Sequence, residues 1–115
     1  MNIYLSANPK NDQHKIFIRK YVIKELSKRL KIKEKDITLF DVFDEDFSNI
    51  PDNIKIKSFY ILSKTLLKMS VCDYFVVFKT YMFEMCTDRC ITEQEMWKYY
   101  GSNVVNEPIT IWELD

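Results

Sequence analysis

The chain contains a single glycine, Gly101, and this scarcity excludes several common ligand-binding motifs. Glycine-rich loops of the GxGxxG and GxxxxGK(S/T) types each need at least two glycines, so neither can be present. The sequence therefore lacks the loops by which many α/β proteins surround a phosphate with backbone amides. Any phosphate site in this chain has to be built from other residues.

The chain also has no excess of charge of one sign and no long hydrophobic run. The 17 basic and 17 acidic side chains cancel to a formal net charge of +0, which provides no general attraction for nucleic acid or an anionic membrane. No run of about 18 apolar residues occurs, so we expect no membrane span. The first residues combine neither a charged start nor a long apolar stretch, and we expect no secretory signal there.

Cysteine is scarce as well, with Cys72, Cys86 and Cys90 as the three in the chain. An odd number is typical of a reducing, cytoplasmic setting rather than of a disulfide-bonded secreted protein. A structural zinc site usually takes four ligands in closely spaced pairs, and His14 is the one histidine left to complete such a set. We interpret the cysteines as free and buried or half-buried, and we expect no metal and no cofactor.

Core-forming residues, in contrast, are plentiful. With 115 residues, 47% of them hydrophobic, the chain is predicted to form one domain, residues 1–115. Short apolar segments alternate with segments of helical periodicity. The predicted strands are Ile3–Ser6, Ile37–Phe43, Asp73–Phe78, Val104–Val105 and, at the sheet edge, Ile109–Trp112. The predicted helices are Asp12–Leu30, Ile56–Met69 and a segment from about Cys90 to Gly101.

This alternation predicts an α/β fold: a flavodoxin- or Rossmann-like three-layer sandwich with a mostly parallel sheet of about four or five strands. Asp73–Phe78 is apolar on both faces after its first residue, which predicts a central strand. In the second helix, the inward side chains are predicted to be Phe59, Leu62, Leu66, Leu67 and Met69.

The most informative segment is CITEQEMWKYYGSNVV, from Cys90 to Val105. It has the pattern of a helix that opens with a threonine and acidic residues and ends at Gly101, since glycine readily takes the left-handed conformation that follows a helix. Glu93 is thereby placed near the helix start, at the edge where open α/β sheets bind ligands. Its carboxylate either complements the helix dipole, worth about 0.3–1 kcal/mol, or acts in catalysis. The pattern alone favours the first.

The first predicted strand ends in a polar turn of four residues, Ser-Ala-Asn-Pro, that begins at Ser6. Ser6 and the backbone amides beside it either hold a phosphate or a sugar hydroxyl at the start of the next helix, or Ser6 only caps the turn. Both interpretations remain open.

Three segments, taken in order, resemble the nucleoside 2-deoxyribosyltransferase-like superfamily, including its small, often phage-encoded members of unknown function. They are Met1–Ser6, Cys72–Val77 and Cys90–Val105, the last with Gly101 ahead of its valine pair. These segments extend from one end of the chain to the other. Their order and spacing carry the resemblance, since no single motif among them is specific.

The resemblance implies chemistry at an N-glycosidic bond. Counted back from Gly101, the family's catalytic glutamate falls on Glu93, which would attack the anomeric carbon of a deoxynucleoside or its 5′-monophosphate, as in retaining glycosidases. Water or another base would resolve the glycosyl-enzyme. Asp73 falls on an aspartate that helps shape the sugar site, and we group it with Glu93 as catalytic. The substrate-binding residues implied are Tyr4, Ser6, Asn8, Thr87, Asp88 and Arg89.

The chain departs from the family pattern in two places. The region Ala7–Lys10 has no glycine where the family often has one, and Thr87–Cys90 replaces a small Ser/Gly-type stretch that binds phosphate or sugar. Within that second region, Arg89 attracts a phosphate and Asp88 repels it.

Three functions remain open from the sequence. The first is an enzyme acting on a nucleoside or nucleotide, the second a binding module that keeps the nucleotide cleft without turnover, and the third a phage-type inhibitor or interaction protein. For the third, Phe40, Phe43 and Phe47 lie among acidic residues and form either an exposed surface or, as we favour, part of the core. The aromatic content of 15% predicts a homodimer or a higher homo-oligomer. The expected location is the cytoplasm, that of the host if the chain is phage-encoded.

Overall fold

The computed structural model of the chain describes residues 1–42, 54–80, 93–98 and 107–113. These residues form an α/β fold in which helices flank a parallel sheet of four strands, as the sequence predicts. The strands are β1 (Asn2–Ser6), β2 (Thr38–Phe40), β3 (Tyr74–Thr80) and β4 (Ile109–Glu113). The helices are α1 (Asp12–Leu30) and α2 (Ile54–Met69), with a 3-10 turn at Glu34–Asp36 before β2. Residues 93–98 are also helical.

Local signals fix both ends of α1. The Asn11 side chain caps the helix by accepting a hydrogen bond from the backbone N–H of His14 over 2.8 Å. At the other end the chain turns at Lys31, whose φ of 54° lies in the left-handed region. The fully buried face repeats every four residues, at Ile18, Val22 and Leu26. One apolar stripe of α1 therefore packs on the sheet.

The strand order is β2-β1-β3-β4. The chain steps from β1 to β2 in one direction, then crosses back past β1 to β3 and on to β4. Because crossovers between parallel strands are right-handed, α1 must cover one face of the sheet, and the helices that follow must cover the other. The winding reverses between β1 and β3, and the carboxyl ends of strands at such a reversal are where open α/β sheets bind ligands.

Side chains alternate between two cores along the central strands. The core under α1 takes Ile3, Leu5, Val76 and Phe78 from the sheet. The core on the opposite face takes Tyr4, Phe75 and Val77 from the sheet, Met69 from α2, and Met96 and Trp97 from residues 93–98. The interior strands are thus covered on both faces, which confirms Asp73–Phe78 as the source of a central strand.

The second strand is shorter than the predicted Ile37–Phe43, because the chain leaves the sheet at Asp41. The Asp41 carboxylate accepts two hydrogen bonds of 3.1 Å from the guanidinium of Arg19 on α1. Its backbone carbonyl accepts another from the ammonium of Lys68 on α2. Asp41 therefore connects the helices on the two faces of the sheet.

The predicted inward face of α2 is wrong at three positions. Phe59, Leu62 and Leu67 are 74%, 39% and 67% exposed. Thr65 and Met69 are buried instead, with Leu66 partly buried beside them.

The burial of Thr65 is consistent with the exposure of Leu67. The Thr65 hydroxyl donates to the backbone carbonyl of Ile61 over 2.8 Å, so a polar side chain occupies a core position without an unsatisfied group. Consecutive residues on a helix are separated by about 100°. Leu67 lies about 160° around the helix from both Thr65 and Met69, so placing those two residues inward turns Leu67 toward solvent.

The last strand, β4, pairs in parallel with β3 at the sheet edge, as predicted. Phe40 is partly buried against the core opposite α1, in agreement with the core interpretation. Phe43, Phe47 and the predicted strand Val104–Val105 lie outside the described residues. In the part of the chain that the structure describes, no helix has the length and apolar character to cross a membrane.

Candidate active site

Two hydroxyl groups lie side by side on β1, on the sheet face opposite α1. Tyr4 and Ser6 are two residues apart, and side chains at this spacing in a strand point to the same face. Both residues are buried, at 0% and 1% exposure. Ser6 is the last residue of β1, so the pair extends from the middle of the strand to its carboxyl end.

Glu93 reaches these hydroxyls from the helical residues 93–98. Its Oε1 accepts a hydrogen bond of 3.0 Å from Ser6 Oγ, and its Oε2 accepts one from the Tyr4 hydroxyl. The residue is 3% exposed. Each oxygen of a buried carboxylate therefore has a hydroxyl donor on the central strand β1.

These donors make the burial of Glu93 energetically acceptable. A carboxylate taken out of water costs several kcal/mol unless other groups replace its hydration. An ionised carboxylate only accepts hydrogen bonds, and those it receives from hydroxyl groups are among the stronger ones in proteins. The two hydroxyls thus hold the carboxylate in a defined orientation on the sheet.

An aromatic stack supports the same arrangement. The Tyr4 ring lies against the Phe75 ring of β3 with centroids 5.6 Å apart, and Phe75 lies against Trp97 at 5.7 Å. Trp97 follows Glu93 by four residues and so shares its helix face. The helical segment is therefore anchored to the sheet by an apolar contact one turn away from the carboxylate.

The predicted residue Asp73 lies at the opposite edge of the sheet. It precedes β3, and its carboxylate accepts a hydrogen bond of 3.0 Å from the backbone N–H of Asn2. Its own N–H donates to the Asn2 carbonyl over 2.7 Å. Asn2 and Ser6 are the two ends of β1, roughly 13 Å apart at about 3.3 Å per residue. The structure therefore does not bring Asp73 to Ser6 and Glu93; Asp73 joins the amino ends of two strands.

The remaining predicted substrate-binding residues divide into two groups. Asn8 is exposed and lies two residues after β1, at the carboxyl edge. Thr87, Asp88 and Arg89 lie outside the described residues. Of the eight predicted site residues, the structure thus brings together Glu93, Tyr4 and Ser6.

Sequence reasoning missed two polar pairs at the carboxyl ends of the strands. The ammonium of Lys79 on β3 lies 5.5 Å from the centroid of the Trp112 ring on β4. On the opposite face, His14 Nε2 lies 3.2 Å from Glu113 Oε1, and His14 Nδ1 accepts the N–H of Lys10 over 2.9 Å. A signal was present for the first pair: Lys79 interrupts the apolar run of β3 where that strand reaches the sheet edge.

The cysteine that the structure describes, Cys72, follows α2 and is buried. Burial, reinforced by the negative charge of neighbouring Asp73, raises the pKa of its thiol from 9.0 to about 12. The thiol therefore stays protonated at neutral pH and is no nucleophile there. Among the described residues, no three His, Cys, Asp or Glu side chains converge as metal ligands.

Comparisons of the chain with protein-family models, with curated proteins and with solved structures found no match.

Proposed function

We propose that this protein is a nucleoside 2-deoxyribosyltransferase-like enzyme that cleaves or transfers the N-glycosidic bond of a deoxynucleoside or deoxynucleoside monophosphate. The observation that supports this proposal is the buried carboxylate of Glu93, held by the hydroxyls of Tyr4 and Ser6 on the central strand. A carboxylate with this support lies beside the reversal in strand order where α/β folds bind ligands.

The reaction proceeds through two displacements at one carbon. An oxygen of the Glu93 carboxylate bonds to the anomeric carbon while the C–N bond breaks, and the base leaves with the bonding electrons and takes up a proton. Water or a nitrogen of a second base then attacks the same carbon and releases Glu93 as a carboxylate. Tyr4 and Ser6 orient the carboxylate for the first displacement, which reduces the entropy lost in reaching the transition state.

One observation favours the alternative of a binding module without turnover. Both oxygens of Glu93 already accept hydrogen bonds from hydroxyls, and such bonds stabilise a carboxylate and make it a weaker nucleophile. The same contacts also fix the helical segment on the sheet. In this alternative a nucleotide binds in the cleft and leaves unchanged.

Base release separates the two functions. Native protein is incubated with a panel of deoxynucleosides and deoxynucleoside monophosphates, and free base is measured by chromatography. Glu93→Gln should abolish release with little change in the melting temperature, because the amide can still bond to both hydroxyls. Glu95→Gln is the matched control, since Glu95 is exposed on the same helical segment, and it should retain native activity.

The outcomes differ between the functions. Release by the native protein and by Glu95→Gln, but not by Glu93→Gln, supports the enzyme. Nucleotides that raise the melting temperature of native and Glu93→Gln proteins alike, without release, support the binding module. Base release that persists in Glu93→Gln contradicts the proposed nucleophile.

We further propose that the protein acts as a homo-oligomer in a reducing cytoplasm. The aromatic content of 15% and the three cysteines support these two points. Light scattering at tens of micromolar should give at least the mass of a dimer, and a strict monomer would contradict the proposal.

A further inference from the structure

Lys79 and Trp112 lie on the same sheet face as Glu93 and its two hydroxyl donors. Along β3, Phe75 and Val77 point into the core opposite α1, and Lys79 continues that alternation. Trp112 is its register partner on β4, while the neighbouring Glu113 faces His14 on α1. The pair therefore extends the surface of the proposed site toward the sheet edge.

The register places this pair one row beyond Ser6. Ser6 is aligned with Val77, and Lys79 lies two residues further along β3. With about 3.3 Å of rise per residue and about 4.8 Å between strands, the Cα atoms of Ser6 and Lys79 are roughly 8 Å apart. A substrate whose anomeric carbon lies at Glu93 can therefore extend a second group toward the Lys79 ammonium.

Trp112 gives that ammonium a defined position. The Lys79 Nζ lies 5.5 Å from the centroid of the indole ring, within the range of a cation–π interaction. Trp112 is 40% exposed, so the charge is held at the rim rather than inside the core. Among the described residues, no carboxylate forms an ion pair with Lys79, in contrast to Lys15 and Arg19 on α1.

A fixed cation on this face compensates the negative charge that the Glu93 carboxylate gives the site. The Glu93 carboxylate repels any anionic substrate that approaches it, and the repulsion is strong where water is excluded. An ammonium on the same sheet face offsets that repulsion for a substrate whose anionic group lies away from Glu93. Lysine is a common ligand of phosphate groups in proteins.

We propose that Lys79, positioned by Trp112, binds the phosphate of the substrate, so that the site selects deoxynucleoside 5′-monophosphates over deoxynucleosides. This inference rests on the proposed function for the location of the sugar at Glu93. It adds a specificity-determining residue, Lys79, and a positioning residue, Trp112. Neither belongs to the sequence segments that resemble the family.

Calorimetric titration tests the inference directly. Deoxynucleosides, their 5′-monophosphates and inorganic phosphate are titrated into native protein and into Lys79→Gln, Lys79→Arg and Trp112→Leu variants. Lys20→Gln is the control, because Lys20 is an exposed lysine on α1. Native protein should bind the monophosphate at least about tenfold more tightly than the nucleoside, and added salt should reduce the difference.

The variants should separate binding of the phosphate from binding of the nucleoside. Lys79→Gln should lower the affinity for the monophosphate about tenfold, as expected for one lost charge-assisted contact. Its affinity for the nucleoside should stay within about twofold of that of native protein. Lys79→Arg should retain most of the preference. Trp112→Leu should lower the affinity for the monophosphate about threefold, because the Lys79 side chain is then less restrained. Lys20→Gln should match native protein.

Several results overturn the inference. These are equal affinities of native protein for monophosphate and nucleoside, a Lys79→Gln effect that is absent or equal for both ligands, and no binding of either ligand. Inorganic phosphate that binds as tightly as the monophosphate would indicate a general anion site and also contradict it.

Base release distinguishes this failure from failure of the proposed function. Lys79-dependent binding of monophosphates without base release would support the phosphate site and contradict the proposed enzyme activity. Base release from nucleosides and monophosphates at equal rates that do not change in Lys79→Gln would support the proposed enzyme activity and contradict the phosphate site.

Discussion

Glu93 is a buried glutamate whose carboxylate is bound to the central strand of the sheet. Two hydroxyls from β1 compensate its burial, and the Tyr4 ring that carries one of them is stacked on Phe75. A glutamate that served only the helix dipole would need no partner on the sheet. Its contacts with Tyr4 and Ser6 therefore show that Glu93 is bound to the sheet and does not only complement the helix dipole.

Removing a single hydroxyl tests these contacts. Tyr4→Phe keeps the stacked ring but removes one of the hydroxyls that donate to Glu93. It should lower the free energy of unfolding by about 1–3 kcal/mol, the usual cost of a buried group that loses its partner, and also reduce base release. Urea denaturation measures the first effect. Tyr21→Phe, on the other face of the sheet, is the matched control. Unchanged stability and activity in Tyr4→Phe would contradict a role for the Tyr4 hydroxyl in the site.

Cys72 gives a second prediction at the scale of one residue. A rise in its thiol pKa from 9.0 to about 12 lowers the thiolate fraction at pH 8 about thousandfold, and the thiolate is the reactive form. In a Cys86→Ser/Cys90→Ser background, a thiol-specific reagent should modify the folded protein at least about a hundredfold more slowly than the urea-unfolded chain. Comparable rates in the two states would show that Cys72 is accessible and ionisable.

The same pKa shift predicts a dependence of stability on pH. Below pH 9 the thiol is protonated in the folded and the unfolded protein, so it adds no pH dependence to the free energy of unfolding. Between pH 9 and about 12 the unfolded chain loses the proton while the folded protein keeps it, so stability falls as pH rises. Cys72→Ala should show a shallower fall over this window in urea denaturation. Parallel curves for the two proteins would contradict the assigned pKa.

At the scale of the elements, sequence periodicity located helices and strands better than it located their faces. The bounds of α1 followed from its apolar spacing, and β3 followed from its continuous apolar run. The inward face of α2 did not follow, because Thr65 satisfies its hydroxyl within its own helix and takes a core position. The end of β2 depends on the contacts of Asp41 with two helices, which no local pattern contains.

The corrected face of α2 can be tested by paired substitutions two residues apart. Met69→Ala removes a fully buried side chain and should cost about 2–5 kcal/mol of unfolding free energy. Leu67→Ala changes a side chain that is 67% exposed and should cost no more than about 0.5 kcal/mol. Urea denaturation of both variants decides between the faces. A larger cost for Leu67→Ala would restore the face predicted from the sequence.

At the scale of the whole molecule, the sheet topology determines which residues can share a site. The winding reverses between β1 and β3, and Tyr4, Ser6 and Glu93 meet there on one face. The resemblance of three sequence segments to a known superfamily predicted that these residues share a site. It also grouped Asp73 with Glu93, although the predicted strand Asp73–Phe78 already placed Asp73 at the amino end of its strand. Lys79 and Trp112 were missed because their proximity depends on the register of β3 with β4.

The anomeric configuration of the first-formed product tests the central claim most directly. Methanol serves as the acceptor, because the methyl glycoside it forms does not change configuration afterwards, and nuclear magnetic resonance identifies the anomer. If Glu93 is the nucleophile, two displacements at the same carbon give a product that retains the configuration of the substrate. An inverted product would mean that the acceptor attacks the substrate directly, and no product under these conditions would also contradict the account.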